Sequence, residues 1–406
     1  MAGQVRAAGD LRVWPMVALL ALVVLLNFVD RGAIGIAAPL MQQSLGLSAT
    51  RFGLAVSAFF WTYGLTQPFI GALADRWSAA RLLSLAVALW ACATLFTGLA
   101  NGLAMLVGLR LLLGLGEAAL FPSTAKLIAA HVPVERRGLA NAMIATGLAL
   151  GPALGTMAGG MILARHGWRP VFFWFGAATL VWLVPWALIG RQMNRATAGK
   201  AVEPPSPMRD LLRRPGLWLM GVAHALANYG FFFVLIWLPL YLVKSRGLPI
   251  PTMTVLATMT YGMQALASLG WGQLADALVR RGGEPSRVKR RLCVVAELGS
   301  VAGIAGVALA QGTTGLCAAL LVTGLFLGCL PTMVYALGQL HAGPRDAAGW
   351  VGVQNAIGSV SGIVGPVVTG AIVDATGSFN GAFAFAAAVS AAGAAMFAWG
   401  LPERSV

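Results

Sequence analysis

The stretch "GALADRWSAAR", Gly71–Arg81, closes one apolar run and opens the next, with one acid and two arginines in between. Its first five residues return as "GQLAD" at Gly272–Asp276, an offset of 201, again at the end of an apolar run and ahead of a basic stretch. A second pair recurs at an offset of 214. Asn141-Ala142, eight residues and Gly151-Pro152 match Asn355-Ala356, eight residues and Gly365-Pro366. Two matches of this kind, each keeping its internal spacing, imply a duplicated unit.

Composition says what the unit is made of. The chain has 406 residues, 58% hydrophobic and only 10% charged, against about 25% charged in a soluble domain. It has too little polar surface to cover itself, so lipid is its expected solvent. A membrane helix needs roughly 20 apolar residues. Such runs fall at 13–36, 51–73, 82–101, 103–128, 138–162, 170–190, 217–243, 252–275, 291–311, 314–338, 350–372 and 381–401. The first is longer than the core of a signal peptide, lacks a small-residue exit and is expected to be retained. The Pro-rich, basic segment 191–216 separates residues 1–190 from 217–406, six runs on each side. The expected fold is all-α and membrane-embedded, with twelve helices in two pseudo-symmetric six-helix bundles. Parallel halves of this kind place a site between them near the midplane.

With both termini cytoplasmic, twenty of the 28 Lys and Arg fall in inside loops, five (Arg51, Arg165, Arg169, Lys244 and Arg246) fall outside, and Arg31, Arg110 and Lys126 lie within spans. That asymmetry satisfies the positive-inside rule and accounts for the net charge of +15 without a polyanionic partner. No nucleic-acid motif is present, so no nucleic-acid partner is expected. The cysteines Cys92, Cys293, Cys317 and Cys329 sit in apolar runs with no CxxC pair, and no metal or disulfide framework is expected. No HExxH, GxSxG or Walker loop points to an enzyme.

Four charges break the apolar runs at mid-membrane depth: Asp30, Arg31, Arg110 and Glu117. On insertion scales a charge at the centre of a lipid-facing helix costs about 2.5–3.5 kcal/mol, so these four face the bundle interior. Arg110 and Glu117 are two helical turns apart, about 10 Å along the axis, on nearly one face. Asp30 and Arg31 point about 100° apart, and Asn27 shares the face of Arg31. A consistent pairing is Arg110 with Asp30, leaving Arg31 for a ligand and Glu117 free to titrate. A carboxylic acid in a low-dielectric cavity holds its proton more tightly, and an arginine keeps its charge and offers a planar fork to a carboxylate.

"GALADRWSAAR" resembles the loop signature of the major facilitator superfamily between its second and third helices, and Arg110 with Gly114, Gly116 and Ala118 resembles its helix-4 motif. More narrowly, "NFVDRG" (27–32), "FFWTYGLTQPFIGALADR" (59–76), "RLLLGLGEAALFPSTAKLIAAHVPVERRG" (110–138) and "GWRPVFFWFG" (167–176) resemble the anion:cation symporters, relatives of sialin and the vesicular glutamate transporters. The resemblance implies a proton-coupled symporter of an organic monocarboxylate, a sugar acid above all, in a bacterial inner membrane. It implies Asp30 and Glu117 as the proton-coupling acids, and Arg31 and Arg110 as the groups that handle the anion. Protons are the expected coupling ion, with no cofactor and a monomeric chain.

Neutral hydrogen-bonding candidates for the rest of a substrate are Tyr63 and Gln67 in the second run, Asn228 and Tyr229 in the seventh, Gln264 in the eighth, Tyr335 in the tenth, and Gln354, Asn355 and Ser359 in the eleventh. The second half offers no central Arg or Lys, which suits one carboxylate gripped by the first half and a hydroxylated remainder held by the second. Asp75, Arg76 and Arg81 are expected to gate rather than bind. His224 is expected to pack, and Glu297 to serve the cytoplasmic helix ends near Arg291. Gly138, Gly147, Gly151-Pro152 and Gly155 resemble a pattern associated with antiporters, so an organic anion exchanger or a proton-coupled drug antiporter is the competing expectation.

Overall fold

The computed structural model describes the backbone of residues 2–133, 136–196 and 207–400. Side chains within those ranges are described except at 2–12, 68, 71–72, 74–76, 138, 191–192, 194–196, 343–345 and 347–348. Fifteen α-helices follow in order: α1 (Ala2–Leu45), α2 (Ala49–Arg76), α3 (Ala79–Thr97), α4 (Leu103–Glu117), α5 (Leu120–His131), α6 (Arg137–His166), α7 (Trp168–Ala196), the short α8 (Met208–Leu212), α9 (Pro215–Lys244), α10 (Ile250–Arg280), α11 (Pro285–Leu309), α12 (Gly312–Leu327), α13 (Cys329–Gly358), α14 (Val360–Thr376) and α15 (Asn380–Ala395). Lipid leaves no water for loose backbone groups, so an apolar chain of this length spans as helix.

Ten of the described helical segments are long and apolar enough to cross a membrane. α2 and α10, of 28 and 31 residues, add two whose polar residues dilute their hydropathy. Two expected spans are broken rather than continuous. α4 and α5 together make the fourth span, interrupted at Ala118 and Ala119. The tenth is α12 and the first part of α13, interrupted at Gly328. The chain stays helical between the tenth and eleventh spans, and α13 gives way to α14 at Ser359.

The duplication shows in packing. Gly114 of α4 lies against the Phe59 carbonyl of α2, and Gly324 of α12 lies against the Thr260 carbonyl of α10. Thr260 follows Phe59 by the same 201 residues that separate the two Gly-x-Leu-Ala-Asp copies. Glycine lets the helix backbones approach this closely, and a β-carbon at either site would clash. Gly147, Gly151 and Gly155 share one face of α6 and pack on α1 against Ala21, Leu25, Phe28 and Val29. That contact seats the turn carrying Asp30 and Arg31.

The halves close on each other at the end that carries the 46–48 turn. There Gly35 of α1 meets the Leu235 carbonyl of α9, Gly53 of α2 meets the Pro366 carbonyl of α14, and Gly160 of α6 meets Thr254 of α10. The described hydrogen bonds between halves lie at this end or at mid-depth. Asp374 of α14 accepts from the Ala49 and Thr50 amides at 3.0 and 2.8 Å, an anion on the N-terminus of α2. Ser57 donates to the Ile363 carbonyl at 2.6 Å, and Lys244 to Gln42 at 2.8 Å.

Losing a carboxylate that caps two helix amides costs about 1 kcal/mol, roughly a fivefold shift in a two-state equilibrium. In a background lacking the native cysteines, Asp374→Ala should raise the rate at which a cysteine placed at Thr50 reacts with a membrane-impermeant maleimide by about that factor. An unchanged rate would show that the glycine contacts alone hold this end shut.

Candidate functional site

The four mid-membrane charges lie together in the first half, Arg31, Arg110 and Glu117 between α1, α2 and α4 and Asp30 on the side of α1 that faces α3 and α7. Arg31 Nε donates to Glu117 Oε2 at 2.7 Å, with Glu117 fully buried. Glu117 is the last residue of α4, where the helix breaks before α5. The expected pairing is thereby corrected: Arg31 pairs with Glu117, and Arg110 pairs with neither acid. Periodicity gave the direction of each residue about its own axis but not which neighbouring helix stood there.

Arg110 is buried and donates no hydrogen bond to a described residue. What it has is an aromatic face, with Cζ 5.0 Å from the Phe59 ring centre. Arg31 Cζ lies 5.2 Å from the same ring, 5.0 Å from Phe28 and 4.5 Å from Tyr63. Phe59, stacked on Tyr63 at 5.2 Å, is therefore shared by two guanidinium groups, each drawn to its π-electrons. Sequence reasoning missed Phe28 and Phe59, since aromatic residues in an apolar run look like core.

Asp30 forms no ion pair with either arginine, although it lies within electrostatic reach of Arg110 and Glu117. Thr94 of α3 and Thr179 of α7 donate to its Oδ2 at 3.5 and 3.4 Å, long contacts that leave Oδ1 without a partner. Those threonines were also missed, because a mid-helix hydroxyl carries no signal until its neighbour is known. Asn27 is fully buried beside the cluster, and its amide forms no hydrogen bond with a described residue.

The neutral candidates divide. Asn355 Nδ2 donates to Gln67 Oε1 at 2.7 Å, and Tyr335 donates to Asn355 Oδ1 at 2.9 Å, a bridge between the halves at mid-depth. Tyr335 lies within electrostatic reach of Tyr63 and Arg31, so this bridge borders the charges. Tyr229 does not join them: its hydroxyl meets Thr369 of α14 at 3.2 Å and its ring packs on Phe385. Gln354 is fully buried and donates back to the Val334 carbonyl. Ser359 bonds within its own helix, to the Asn355 carbonyl. Asn228 and Gln264 are partly buried, with no described bond to the cluster. Among the gating residues, Arg81 is exposed on the first turn of α3 with its amide capped by Ser78; the side chains of Asp75 and Arg76 lie outside the described residues. His224 packs edge-on against Tyr335. Glu297 does not serve a helix end. It is the middle of α11 and fully buried.

The Major Facilitator Superfamily profile matches residues 20–366, most of the chain and all four charges. The chain belongs to the Major Facilitator Superfamily. This superfamily member is 29% identical over 382 residues to the hexuronate transporter of Bacillus subtilis, covering 92% of this chain and 90% of that one. It is 28% identical over 398 residues to the probable L-galactonate transporter of Escherichia coli, covering 93% and 86%. In structure it resembles an inward-facing bacterial homologue of the lysosomal transporter Spinster, with a TM-score of 0.73, 20% identity and 95% and 93% coverage. That last likeness concerns the superfamily fold. As a superfamily member the protein is a multi-pass membrane transporter.

Removing one partner of a buried ion pair costs about 3–5 kcal/mol, because the other charge is left unpaired. Arg31→Met and Glu117→Met should each lower the melting temperature sharply, and the double variant should lose much less than the sum of the two. The same cycle on Asp30 and Arg110 should show weaker coupling.

Proposed function

We propose that the protein is a proton-coupled symporter of an organic monocarboxylate, most specifically a sugar acid, working by alternating access. One observation carries the reading: among the described residues Arg110 has no ion-pair partner, while Arg31 and Glu117 beside it pair with each other at 2.7 Å. With all four groups ionised the set is neutral. When one acid takes a proton the set becomes a single positive charge in a low-dielectric site, which attracts one carboxylate to Arg110. Each ligand favours the other, and the linkage is reciprocal. Asp30 is the acid best placed for this, since it can take a proton without breaking the ion pair. Glu117 releases Arg31 when it is protonated, and so supplies a second coupling acid.

The Gln67–Asn355–Tyr335 bridge supplies neutral donors and acceptors for substrate hydroxyls, where a dicarboxylate would need a second cation. Relatives named for hexuronate and L-galactonate transport fit a hydroxylated monoanion. The glycine pattern of α6, which invited the antiporter expectation, is accounted for by its packing on α1. On this reading the chain acts as a monomer in a bacterial inner membrane with both termini cytoplasmic. The closed 46–48 end is then outside, and the conformation is inward-facing. Residues 1–190 and 217–406 are the two rocking units.

In proteoliposomes, an inward proton gradient should drive accumulation of a labelled hexuronate or aldonate with no substrate inside. Uptake seen only after preloading with a counter-anion would sink the symport reading. Asp30→Asn holds the set at one positive charge as long as Glu117 stays ionised, so over that pH range it should bind the anion with little pH dependence, retain counterflow and lose most of its gradient-driven accumulation. Arg110→Gln should weaken binding at least about 30-fold, the scale of a lost buried charge pair of 2 kcal/mol or more.

A further inference from the structure

Asp30 sits where the first, third and sixth helices of its half meet: α1 itself, α3 through Thr94 and α7 through Thr179. The matching helices of the second half are α9, α11 and α15. Gly35 of α1 meets Leu235 of α9 across the closed end, so Gly230 stands at the height of Asp30, five residues before the contact in each case. Gly230 has no side chain, and a β-carbon built there would lie 3.3 Å from Ser390 Oγ of α15. The acid at this junction comes instead from the third helix. Glu297 of α11 is fully buried, with Ser390 beside its carboxyl and Gly393 of α15 against Oε1.

Both carboxyl oxygens of Glu297 lack a hydrogen-bond partner, as do the hydroxyls of Ser390 and of Ser300, one turn on from Glu297. The titratable groups around it are the thiols of Cys293 on α11 and Cys329 of α13; α15 brings the neutral Ser390. Among the described residues no cation pairs with it. A carboxylate buried without a cation or a donor is far costlier than the neutral acid, which has its own proton to share with a hydroxyl. Three side chains supply oxygen here and the backbone carbonyls are occupied in helices, so the six or more oxygens that a hard metal ion collects are not assembled.

We propose that Glu297, with Ser390 and Ser300, is a second proton-binding site in the C-terminal half, protonated in this conformation and separate from Asp30 and Glu117. It places one titratable acid at the same helix junction in each half, from the first helix in one and the third in the other. The site does not touch the anion, so it stands whether or not the transport reading above holds.

The test is infrared spectroscopy on purified, substrate-free protein in detergent. The wild type should show a carbonyl stretching band of a protonated carboxylic acid that is lost in Glu297→Gln and kept in Asp30→Asn and Glu117→Gln. Ser390→Ala, which keeps the acid and removes its neighbour, should shift that band, and it reads the site even where Glu297→Gln fails to fold. A spectrum unchanged in both variants overturns the proposal. So does a melting temperature that rises with sodium in the wild type but not in Glu297→Gln, which would make the site a sodium site.

Discussion

The ion pair between Arg31 and Glu117 is what the rest of the central site is arranged around. Lipid cannot solvate either group, so each must find its counter-charge inside the bundle. The pair at 2.7 Å ties α1 to the point where α4 breaks. Keeping that contact requires α1 to lie deep in its half, and the glycine face of α6 allows this by giving it no side chains to climb over. It also settles the role of Phe59. With Arg31 committed to Glu117, the second guanidinium is kept near by an aromatic face rather than by another acid. The uncommitted cation is then Arg110, and the uncommitted acid is Asp30.

The two halves are held together in a different way. Their contacts at the closed end are backbone against backbone, through Gly35, Gly53 and Gly370, with few hydrogen bonds. Such surfaces match closely but carry little charge, so they can part without stranding a buried ion. The central charges lie within one half, and among the described residues the bond that spans the gap beside them is the neutral one from Asn355 to Gln67. Under the proposed alternating access, a site built this way keeps its ion pair while the halves rock and exchanges a neutral hydrogen bond for contacts to the substrate.

Much of this was legible in the sequence because lipid is a severe solvent. A charge in an apolar run stands out, and Asp30, Arg31, Arg110 and Glu117 could be picked out by residue type and depth alone. The repeated Gly-x-Leu-Ala-Asp segment announced the duplication, and Gly114 and Gly324 show it in three dimensions. What could not be read was adjacency. Asp30 and Arg31 point about 100° apart on one helix, and nothing in the order of residues says which direction faces α4 and which faces α3. Tyr229 looked like a substrate contact by its position beside Asn228, yet its hydroxyl turns to Thr369. Glu297 was misread for the opposite reason. Its nearness in sequence to a basic cluster suggested a helix end, whereas α11 begins at Pro285 and a little over three turns carry Glu297 to its middle.

Duplication explains why an acid should be found at that second junction at all. In each half the first, third and sixth helices meet on a hydroxyl, Thr179 in one and Ser390 in the other, and the meeting point is closed to solvent. A pocket of that kind favours a group that can be neutral or charged and penalises one that is always charged, since an arginine there would have no counter-ion. In the first half Asp30 sits close enough to the Arg31–Glu117 pair and to Arg110 to feel their charge, which on the proposed reading ties its proton to the anion at Arg110. In the second half no cation pairs with Glu297 among the described residues, so its proton is answerable only to the packing of α11 on α15. The same junction thus gives a charge-linked acid on one side of the molecule and a packing-linked acid on the other.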